Sequence, residues 1–260
     1  MQLDAIVLAG GRSSRLGGSP KALLQVGGRR LVDIAIDAAR EAGARRIVVV
    51  GPPVDLPPPA SSLSTSAMGH VREDPPFGGP AAGIGAGLAA LDPPDTDHGD
   101  SRYADADADA DAGGRAVLVL ACDVPAAGGA VGPVLVEAER IAATGARGWC
   151  AAAVDPSGAR QMLLAVYDAA LLSECVGAHR VAGTLSGLAV RTLVAPFAVT
   201  EVIVPPGSTA DVDTWTDAEA LGAVPDSAVP DSAVPDSVVP DSVVSDSASH
   251  LSARHPKEHR

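Results

Sequence analysis

The residues best suited to chemistry form a glycine-rich segment that directly follows the first apolar run of the chain. Residues 8–21 read LAGGRSSRLGGSPK. Glycines let backbone N–H groups approach phosphate oxygens closely, serines add hydroxyl donors, and Arg12, Arg15 and Lys21 add positive charge. The spacing fits neither the G-x-x-x-x-G-K-[ST] loop nor the dinucleotide pattern G-x-G-x-x-G. The segment therefore predicts a loop that offers donors and cations to a triphosphate.

Lys21 is singled out by the way the chain uses basic residues. The sequence contains two lysines, Lys21 and Lys257, and its other positively charged side chains are arginines. Lysine is a compact charge well suited to phosphate. We therefore expect Lys21 to contact the triphosphate; the alternative is a solvated lysine at the start of a helix.

A second chemical group ends a buried strand in the middle of the chain. Residues 117–121 are apolar and are followed by Cys122, Asp123, Val124 and Pro125. A carboxylate at the carboxyl end of a parallel strand points into the crevice where such folds bind ligands. Mg²⁺ is usually held by one or two carboxylates together with phosphate oxygens and water. Asp123 is thus a candidate metal ligand, with a helix N-cap as the structural alternative.

Three further segments carry weaker signals. Residues 71–83, VREDPPFGGPAAG, place an acidic pair before Gly79-Pro80, a favourable helix start because proline suits the first helical position. The small residues that follow, at 81–87, predict a helix packed tightly on the sheet. Residues 211–217, DVDTWTD, could supply further carboxylates or form a helix capping box. Residues 156–167 include the run RQMLLAVY.

The elements around these groups alternate between strand and helix patterns, which predicts a parallel sheet with helices on both faces. The predicted strands are residues 3–9, 46–50, 116–121, 148–154, 161–166, 190–194 and 202–204. The predicted helices are residues 31–42, 131–143, 167–176 and 216–221. This pattern indicates one domain over residues 1–222.

Two segments interrupt or follow that domain. Residues 92–114 form an Asp-rich insertion whose small residues and unopposed charge predict a disordered loop. From residue 223 to 260 the chain repeats AVPDS-like pentapeptides, which predicts a disordered tail. The net charge of −13 lies mostly in these segments, since residues 92–111 alone hold eight Asp against one Arg. The folded part is close to neutral.

Composition excludes several classes of protein. An acidic chain does not coat nucleic acid non-specifically, because that needs a Lys/Arg stripe. Three widely spaced cysteines without a C-x-x-C pair argue against a disulfide framework or a structural zinc site. No apolar run approaches the ~18–20 residues of a membrane span, and the N-terminus lacks a signal-peptide pattern. We expect a soluble cytoplasmic protein; the oligomeric state is not readable.

The glycine-rich segment, the acidic residue before G-P-x-x-G and the C-D-x-P motif together resemble the MobA-like nucleotidyltransferase family, over about residues 1–221. This family includes molybdenum cofactor guanylyltransferases, molybdopterin cytidylyltransferases and sugar-phosphate nucleotidyltransferases. The resemblance implies a Rossmann-like, three-layer α/β fold with a mostly parallel sheet. It also implies Mg²⁺-dependent transfer of a nucleotidyl group from an NTP, with release of pyrophosphate.

The resemblance also assigns roles residue by residue. The nucleotide-binding residues that it implies are Leu8, Ala9, Gly10, Gly11, Arg12, Ser13, Lys21, Asp74 and Asp123. The catalytic residues are Lys21, Arg15 and Asp123, with Asp123 as the metal ligand. In the family, the residue matching Asp74 helps to recognise the nucleoside.

The base and the acceptor are less clearly specified. The run RQMLLAVY resembles the guanylyltransferase side of the family, with Met162 in place of proline, and favours GTP with molybdopterin as acceptor. Asp211 and Asp213 instead resemble the cytidylyltransferase relatives, in which Asp213 could be a second metal ligand. The alternatives are therefore a CTP-dependent enzyme, another phosphorylated metabolite as acceptor, a nucleotide-binding regulator without catalysis, or a scaffold whose tail recruits partners.

Overall fold

The computed structural model describes residues 1–11, 16, 20–57, 66–92 and 114–225. The predictions made for Arg12, Ser13, Arg15, most of the insertion and the tail from residue 226 lie outside the described residues. In chain order the elements are β1 (Gln2–Leu8), a 3-10 helix (Lys21–Leu23), β2 (Gln25–Val26), β3 (Arg29–Arg30), α1 (Leu31–Glu41), β4 (Arg46–Val50), β5 (Ala67–Val71), α2 (Pro80–Leu91), β6 (Arg115–Ala121), α3 (Gly128–Ala142), β7 (Trp149–Val154), β8 (Arg160–Asp168), α4 (Ala169–Val181), α5 (Val190–Leu193), β9 (Ala198–Ile203), α6 (Trp215–Ala220) and β10 (Ala223–Val224).

The central sheet is mostly parallel. Within the described ranges it has seven strands in the order β5-β4-β1-β6-β8-β7-β9. Strand β1 pairs in parallel with β4 and β6, and β7 pairs in parallel with β9. Strand β8 is antiparallel to both of its neighbours. The predicted α/β class with a mostly parallel sheet is therefore confirmed.

The sheet is covered by helices on both faces, as the continuous apolar runs of its strands require. Side chains alternate along β1, so that Ala5 and Val7 pack under α1 and α3 while Ile6 and Leu8 pack under α2 and α4. All four side chains are buried. This arrangement gives three layers, helices–sheet–helices, around two hydrophobic cores.

Helix α2 approaches the sheet as closely as its small residues predicted. It begins at Pro80, directly after Gly79, which confirms the predicted helix start. A Cβ atom added to Gly87 would lie only 2.7 Å from Cγ2 of Ile6, and one on Gly83 would lie 3.0 Å from Cδ2 of Leu8. Larger side chains at these positions would push α2 away from β1.

A small second sheet holds the C-terminal part of the described chain beside the start of the domain. Its strand order is β10-β2-β3. Leu16, Leu31, Val212 and Ala218 form a third hydrophobic cluster under it. Strand β10 begins at Ala223, so the first residues of the predicted tail belong to the fold.

One predicted strand is wrong. Residues 190–194 form helix α5 with a following turn, because their apolar side chains recur at helical spacing. Val190, Leu193 and Val194 are buried, whereas Arg191 and Thr192 are exposed. The helix predicted from residue 167 begins two residues later, after Asp168, whose carboxylate accepts a hydrogen bond from the Ala170 N–H.

Strand β5 was not predicted from the sequence. It lies at the edge of the sheet with all five residues half-buried, and its sequence, AMGHV, shows no clear alternation.

Among the described helices, none is both long and apolar enough to cross a lipid bilayer.

Candidate active site

A cavity of about 410 Å³ opens at the carboxyl ends of β1, β4 and β6. Parallel strands direct their carboxyl ends to one edge of the sheet, and such an edge is where open α/β folds bind ligands. The predicted site residues that line the cavity are Leu8, Gly10, Gly11, Lys21 and Asp123. Ala9 lies between two of them but is buried, with its N–H donating to the Val50 carbonyl oxygen at 2.8 Å.

The glycine-rich turn is shaped by close backbone contacts. Gly11 has a φ of +145°, a conformation that residues with a Cβ rarely adopt. A Cβ added to Gly51 would lie 2.7 Å from the carbonyl carbon of Ala9 and 2.9 Å from the Gly10 nitrogen. The end of β4 therefore supports the backbone of residues 9–10 directly.

Lys21 is the last residue of the glycine-rich segment and the first of the 3-10 helix, and its side chain points to carboxylates. Its Nζ lies 3.2 Å from Oδ2 of Asp123, and it also donates a hydrogen bond to Oδ1 of Asp213. The lysine side chain is 17% exposed. Burial by itself lowers the pKa of Lys21, but the hydrogen bond to Asp213 and the negative charge of Asp123 outweigh it, so the pKa lies above its usual value. Lys21 is therefore charged and is not a solvated surface lysine.

Asp123 lies two residues after β6 and does not cap a helix. Helix α3 begins at Gly128 with Ala127 at its N-cap. The backbone carbonyl of Asp123 accepts the Val212 N–H at 2.9 Å, which ties the C-terminal segment to this edge of the sheet. The Asp123 carboxylate contacts Lys21, and Asp123 lines the cavity.

The DVDTWTD segment was predicted either to form a capping box from Asp213 to Asp217 or to supply further carboxylates. A capping box is present at the start of α6, but the capping residue is Thr214, with Asp217 as its partner, so Asp213 does not cap the helix. The Asp213 side chain is thus directed to Lys21 instead of to the helix. Asp211 lines the cavity, where loss of solvent together with the nearby Asp213 and Asp123 charges raises its pKa.

The acidic pair before Gly79 divides between two surfaces. Glu73 lines the main cavity, is 9% exposed, and accepts the Phe77 N–H through Oε1 at 3.1 Å. Asp74 is exposed and faces a separate groove beside α2. The structure therefore does not bring Asp74 to the other predicted residues, and it brings Glu73 instead.

The opposite wall of the cavity comes from β8 and from the segment after β9. The residues on this side are Gln161, Met162, Leu163, Leu164, Thr209 and Asp211. This side combines the apolar side chains of Met162, Leu163 and Leu164 with an equal number of polar residues. Sequence reasoning identified residues 160–167 by resemblance but gave no signal for Thr209.

The carboxylates fit a magnesium ion only in partnership with a nucleotide. A search of the described residues finds no cluster of three or more His, Cys, Asp or Glu that could hold a metal ion. Two carboxylates, Asp123 and Asp213, nevertheless converge on the one ammonium group of Lys21. Mg²⁺ commonly takes one or two carboxylates and completes its shell with phosphate oxygens and water. The two carboxylates are therefore suitable ligands for a Mg²⁺ ion that also binds the phosphates of a nucleotide.

Cys122 also lines the cavity. Its side chain is buried, and burial raises the pKa of the thiol well above its usual range. A neutral thiol is a poor nucleophile and a poor metal ligand.

A glycine-rich turn, a lysine and a carboxylate at the carboxyl ends of parallel strands are an arrangement found in nucleotide-binding α/β enzymes, of which nucleotidyltransferases are one class. The sequence agrees with this class, because residues 5–192 match the family model described as the MobA-like NTP transferase domain. The chain belongs to that family. A search of the curated proteins found no match.

Solved structures show the same fold. Rv0371c from Mycobacterium tuberculosis H37Rv has 22% identity and a TM-score of 0.50, over 85% of this chain and 98% of its own. The 2-C-methyl-D-erythritol 4-phosphate cytidylyltransferase from Thermus thermophilus has 22% identity and a TM-score of 0.50, over 85% and 99%. The enzyme of that name from Francisella tularensis has 9% identity and a TM-score of 0.57, again over 85% and 99%.

Proposed function

We propose that the protein transfers GMP from GTP to a phosphorylated acceptor such as molybdopterin, with Mg²⁺ as cofactor and pyrophosphate as product. The observation that carries this proposal is the convergence of Gly10–Gly11, Lys21 and Asp123 on one cavity that also contains the Glu73 carboxylate. The turn amides and Lys21 supply hydrogen-bond donors and positive charge to the triphosphate, and Asp123 supplies a ligand for its metal ion. Glu73 supplies acceptor oxygens for the N–H groups of a guanine base.

The reaction is a displacement at the α-phosphorus. An oxygen of the acceptor phosphate forms a bond to this phosphorus, and the bond from the phosphorus to the bridging oxygen of the β-phosphate breaks in line. A phosphate acceptor is already ionised at pH 7, so no general base is required. The backbone amides of the glycine-rich turn and the Lys21 ammonium hold the triphosphate and stabilise the charge that develops on pyrophosphate.

Asp123 would hold the metal ion, with Asp213 as a second carboxylate. When bound, Mg²⁺ supplies charge neutralisation on the phosphate oxygens. The positions of the two acids support this assignment, because both contact the same cation, Lys21. Arg15, assigned by resemblance, would add a second positive charge to the triphosphate.

The choice of guanine rests on Glu73. Guanine presents two adjacent N–H donors, N1–H and the N2 amino group, and an ionised carboxylate offers two acceptor oxygens and no donor. Cytosine offers its N4 amino group beside an acceptor, N3, which a carboxylate cannot satisfy. A nearly buried carboxylate in the cavity therefore favours GTP over CTP.

The acceptor is proposed from the β8 wall. This segment resembles the guanylyltransferase side of the family, and Met162 and Leu164 give it an apolar surface that could pack against a heterocycle. Molybdopterin carries one phosphate and a heterocycle and so matches both requirements.

Thermal unfolding of the full chain with Mg²⁺ and each of GTP, CTP, ATP and UTP would test the base. A nucleotide present at 100 times its dissociation constant stabilises the folded state by about 2.7 kcal/mol. We expect GTP to raise the midpoint most, by roughly 5–10 °C for a domain of this size. A larger shift with CTP would contradict the guanylyl assignment.

Pyrophosphate release would then separate a transferase from a nucleotide-binding regulator. We expect release from GTP only when molybdopterin is present, and we expect Asp123→Asn to abolish it while the protein remains folded. Tight GTP binding without pyrophosphate release with any phosphorylated acceptor would instead support the regulator.

A further inference from the structure

Lys21 and the two carboxylates that contact it are occupied with one another in this structure. The Lys21 Nζ lies 3.2 Å from Asp123 and is hydrogen-bonded to Asp213. The proposed function, on which this inference rests, gives each of these groups another partner. Lys21 must contact a triphosphate, and Asp123 must hold a metal ion.

The contacts seen in this structure and those that the proposed function requires cannot be made at the same time, because the lysine ammonium and the metal ion are both positively charged. Asp123 and Asp213 together carry two negative charges, and the Lys21 ammonium already neutralises part of them in a half-buried position. A divalent cation placed at the same carboxylates would lie within a few ångströms of the ammonium and would be repelled by it. The metal can bind well only after Lys21 has moved to another anion.

We propose that Lys21 acts as an internal cation that closes the metal site until a triphosphate draws its ammonium away, and that Asp213 is the positioning residue that holds Lys21 in this waiting position. The nucleotide is then both substrate and trigger. Its phosphates bind Lys21, and Asp123 and Asp213 then contact the metal ion that arrives with the nucleotide in place of the ammonium.

The backbone around Asp213 keeps it in place for this role. The Val212 N–H donates to the Asp123 carbonyl oxygen at 2.9 Å, so the residue directly before Asp213 is joined to Asp123 by a main-chain hydrogen bond. On the other side, Thr214 and Asp217 form the capping box that fixes the start of α6. Asp213 therefore lies between two anchored residues, and its carboxylate meets Lys21 without a large movement of the chain.

The small sheet adds a second constraint on the same contact. Strand β10 pairs with β2, and β2 follows the short helix that carries Lys21. Val212 is fully buried in the hydrophobic cluster beneath this sheet, together with Leu16 from the glycine-rich segment. Lys21 and Asp213 thus belong to one packed unit, and the mobile part of the exchange is the lysine side chain.

The consequence is an unusual response to mutation. Replacing Lys21 by a neutral residue should impair transfer of the nucleotidyl group, yet it should strengthen the binding of a divalent metal in the absence of nucleotide. Without the ammonium, Asp123 and Asp213 lose the positive charge that they share, and a metal ion can supply charge in its place.

Binding of Mn²⁺ alone to the nucleotide-free full chain would test this. Mn²⁺ replaces Mg²⁺ as the probe because its binding can be followed by electron paramagnetic resonance or by calorimetry. We expect Lys21→Gln to bind Mn²⁺ roughly tenfold or more tightly than the unmodified protein, since one positive charge has been removed beside the ligands. Lys21→Arg, which keeps the charge, should show no such gain.

The matched control is Arg191→Gln. It removes the same unit of charge from an exposed position on α5, which does not line the cavity. Its Mn²⁺ affinity should equal that of the unmodified protein. The double variant Lys21→Gln/Asp213→Asn should lose most of the gain, because one of the two uncovered carboxylates has been removed.

Circular dichroism would first establish that each variant is folded. Equal Mn²⁺ affinity in Lys21→Gln and the unmodified protein would overturn the proposal, and so would an equal gain in Arg191→Gln. The measurement contains no nucleotide and no acceptor, so its result is independent of whether GTP is the donor. Failure of the GTP assignment would appear instead in the experiments that contain nucleotide, such as the thermal-shift comparison.

Discussion

Glu73 and Asp74 are neighbours in the sequence with the same charge, yet they face different surfaces. Glu73 is nearly buried in the main cavity, whereas Asp74 is exposed beside a separate groove. The family resemblance favoured Asp74 because it matches the family motif by position. The sequence could not distinguish the two, because the direction of each side chain depends on the local backbone between β5 and α2.

Because Glu73 and Asp74 carry the same charge but face different surfaces, substituting each of them in turn tests base recognition. In Glu73→Gln, the new amide group places a donor where guanine also presents donors, while the remaining oxygen can still accept the Phe77 N–H. Losing one hydrogen bond to a charged group costs about 1.5–3 kcal/mol, so we expect the dissociation constant for GTP to rise roughly tenfold or more. Calorimetric titration with GTP in the presence of Mg²⁺ would measure this.

Asp74→Asn serves as the control and should leave GTP affinity within about twofold, since substitutions outside a contact usually have small effects. The reverse result, with Asp74→Asn weakening GTP and Glu73→Gln having no effect, would restore the role that the resemblance assigned to Asp74. Equal losses in both variants would indicate a general effect of charge.

At the level of elements, the glycine-rich turn depends on the end of β4 as much as on its own sequence. Gly51 follows β4, and its Cα region packs directly on the backbone of Ala9 and Gly10. A backbone neighbour cannot rotate away as a flexible side chain can. Gly51 therefore sets how closely β4 and the turn after β1 approach one another.

Gly51→Ala should harm both stability and nucleotide binding. Overpacking of this kind typically costs about 1–3 kcal/mol. Because the displaced backbone includes Gly10, which lines the cavity, we also expect GTP to bind several-fold more weakly to the folded variant. Urea unfolding and calorimetry would measure the two effects separately.

The same substitution at Gly177 is the control. Gly177 lies inside α4, and an added Cβ would meet no atom within 4 Å. Alanine there should stabilise the protein by roughly 0.5–1 kcal/mol through its higher helix propensity and leave GTP binding unchanged. A neutral result for Gly51→Ala would show that the turn adjusts freely and that β4 does not support it.

Elements with strong periodicity could be predicted from the sequence, and those defined by tertiary pairing could not. The apolar runs of β1, β4 and β6 and the amphipathic pattern of α1 were correctly identified. Strand β5 was not, because an edge strand with every residue half-buried has no alternation to read. Strands β2, β3 and β10 have two residues each and exist only through their mutual pairing.

For the whole molecule, the first half of the site was readable and the C-terminal half was only partly so. Glycine spacing, the single domain lysine and an acid after a buried strand identify Lys21 and Asp123 because each carries a local signal. The contact of Asp213 with Lys21 spans 192 positions in the chain. No local pattern reports such a contact, and for this reason the sequence left a capping role and a ligand role for Asp213 both open.

The amino ends of β1, β4 and β6, opposite the cavity, carry a different set of charges. Asp4 at the start of β1 is 1% exposed, and its Oδ2 lies 3.0 Å from guanidinium nitrogens of both Arg46 and Arg115. Arg46 also donates to the Leu91 carbonyl oxygen at the end of α2, at 2.6 Å. One carboxylate therefore joins β1, β4, β6 and α2 at the end of the sheet that is remote from the site.

The Asp4 cluster and the cavity lie at opposite ends of the same strands. We therefore expect that stability and nucleotide binding can be changed independently. In Asp4→Asn the two guanidinium groups lose the charge that holds them together and repel one another. Because the arginines are partly exposed, we expect a loss of about 2–4 kcal/mol, somewhat below the 3–5 kcal/mol typical of a broken buried pair. For a domain of this size that loss lowers the unfolding midpoint by roughly 5–15 °C.

GTP affinity measured well below that midpoint should be unchanged, because Asp4 contributes to no surface of the cavity. The control is Glu137→Gln on α3, which removes one partner of an i,i+3 pair whose Arg140 side chain is 64% exposed. Solvent screens such a pair, so its loss should leave the midpoint almost unaffected. A fall in GTP affinity in folded Asp4→Asn would show that the two ends of the sheet are coupled, and a midpoint equal to that of Glu137→Gln would remove Asp4 from its structural role.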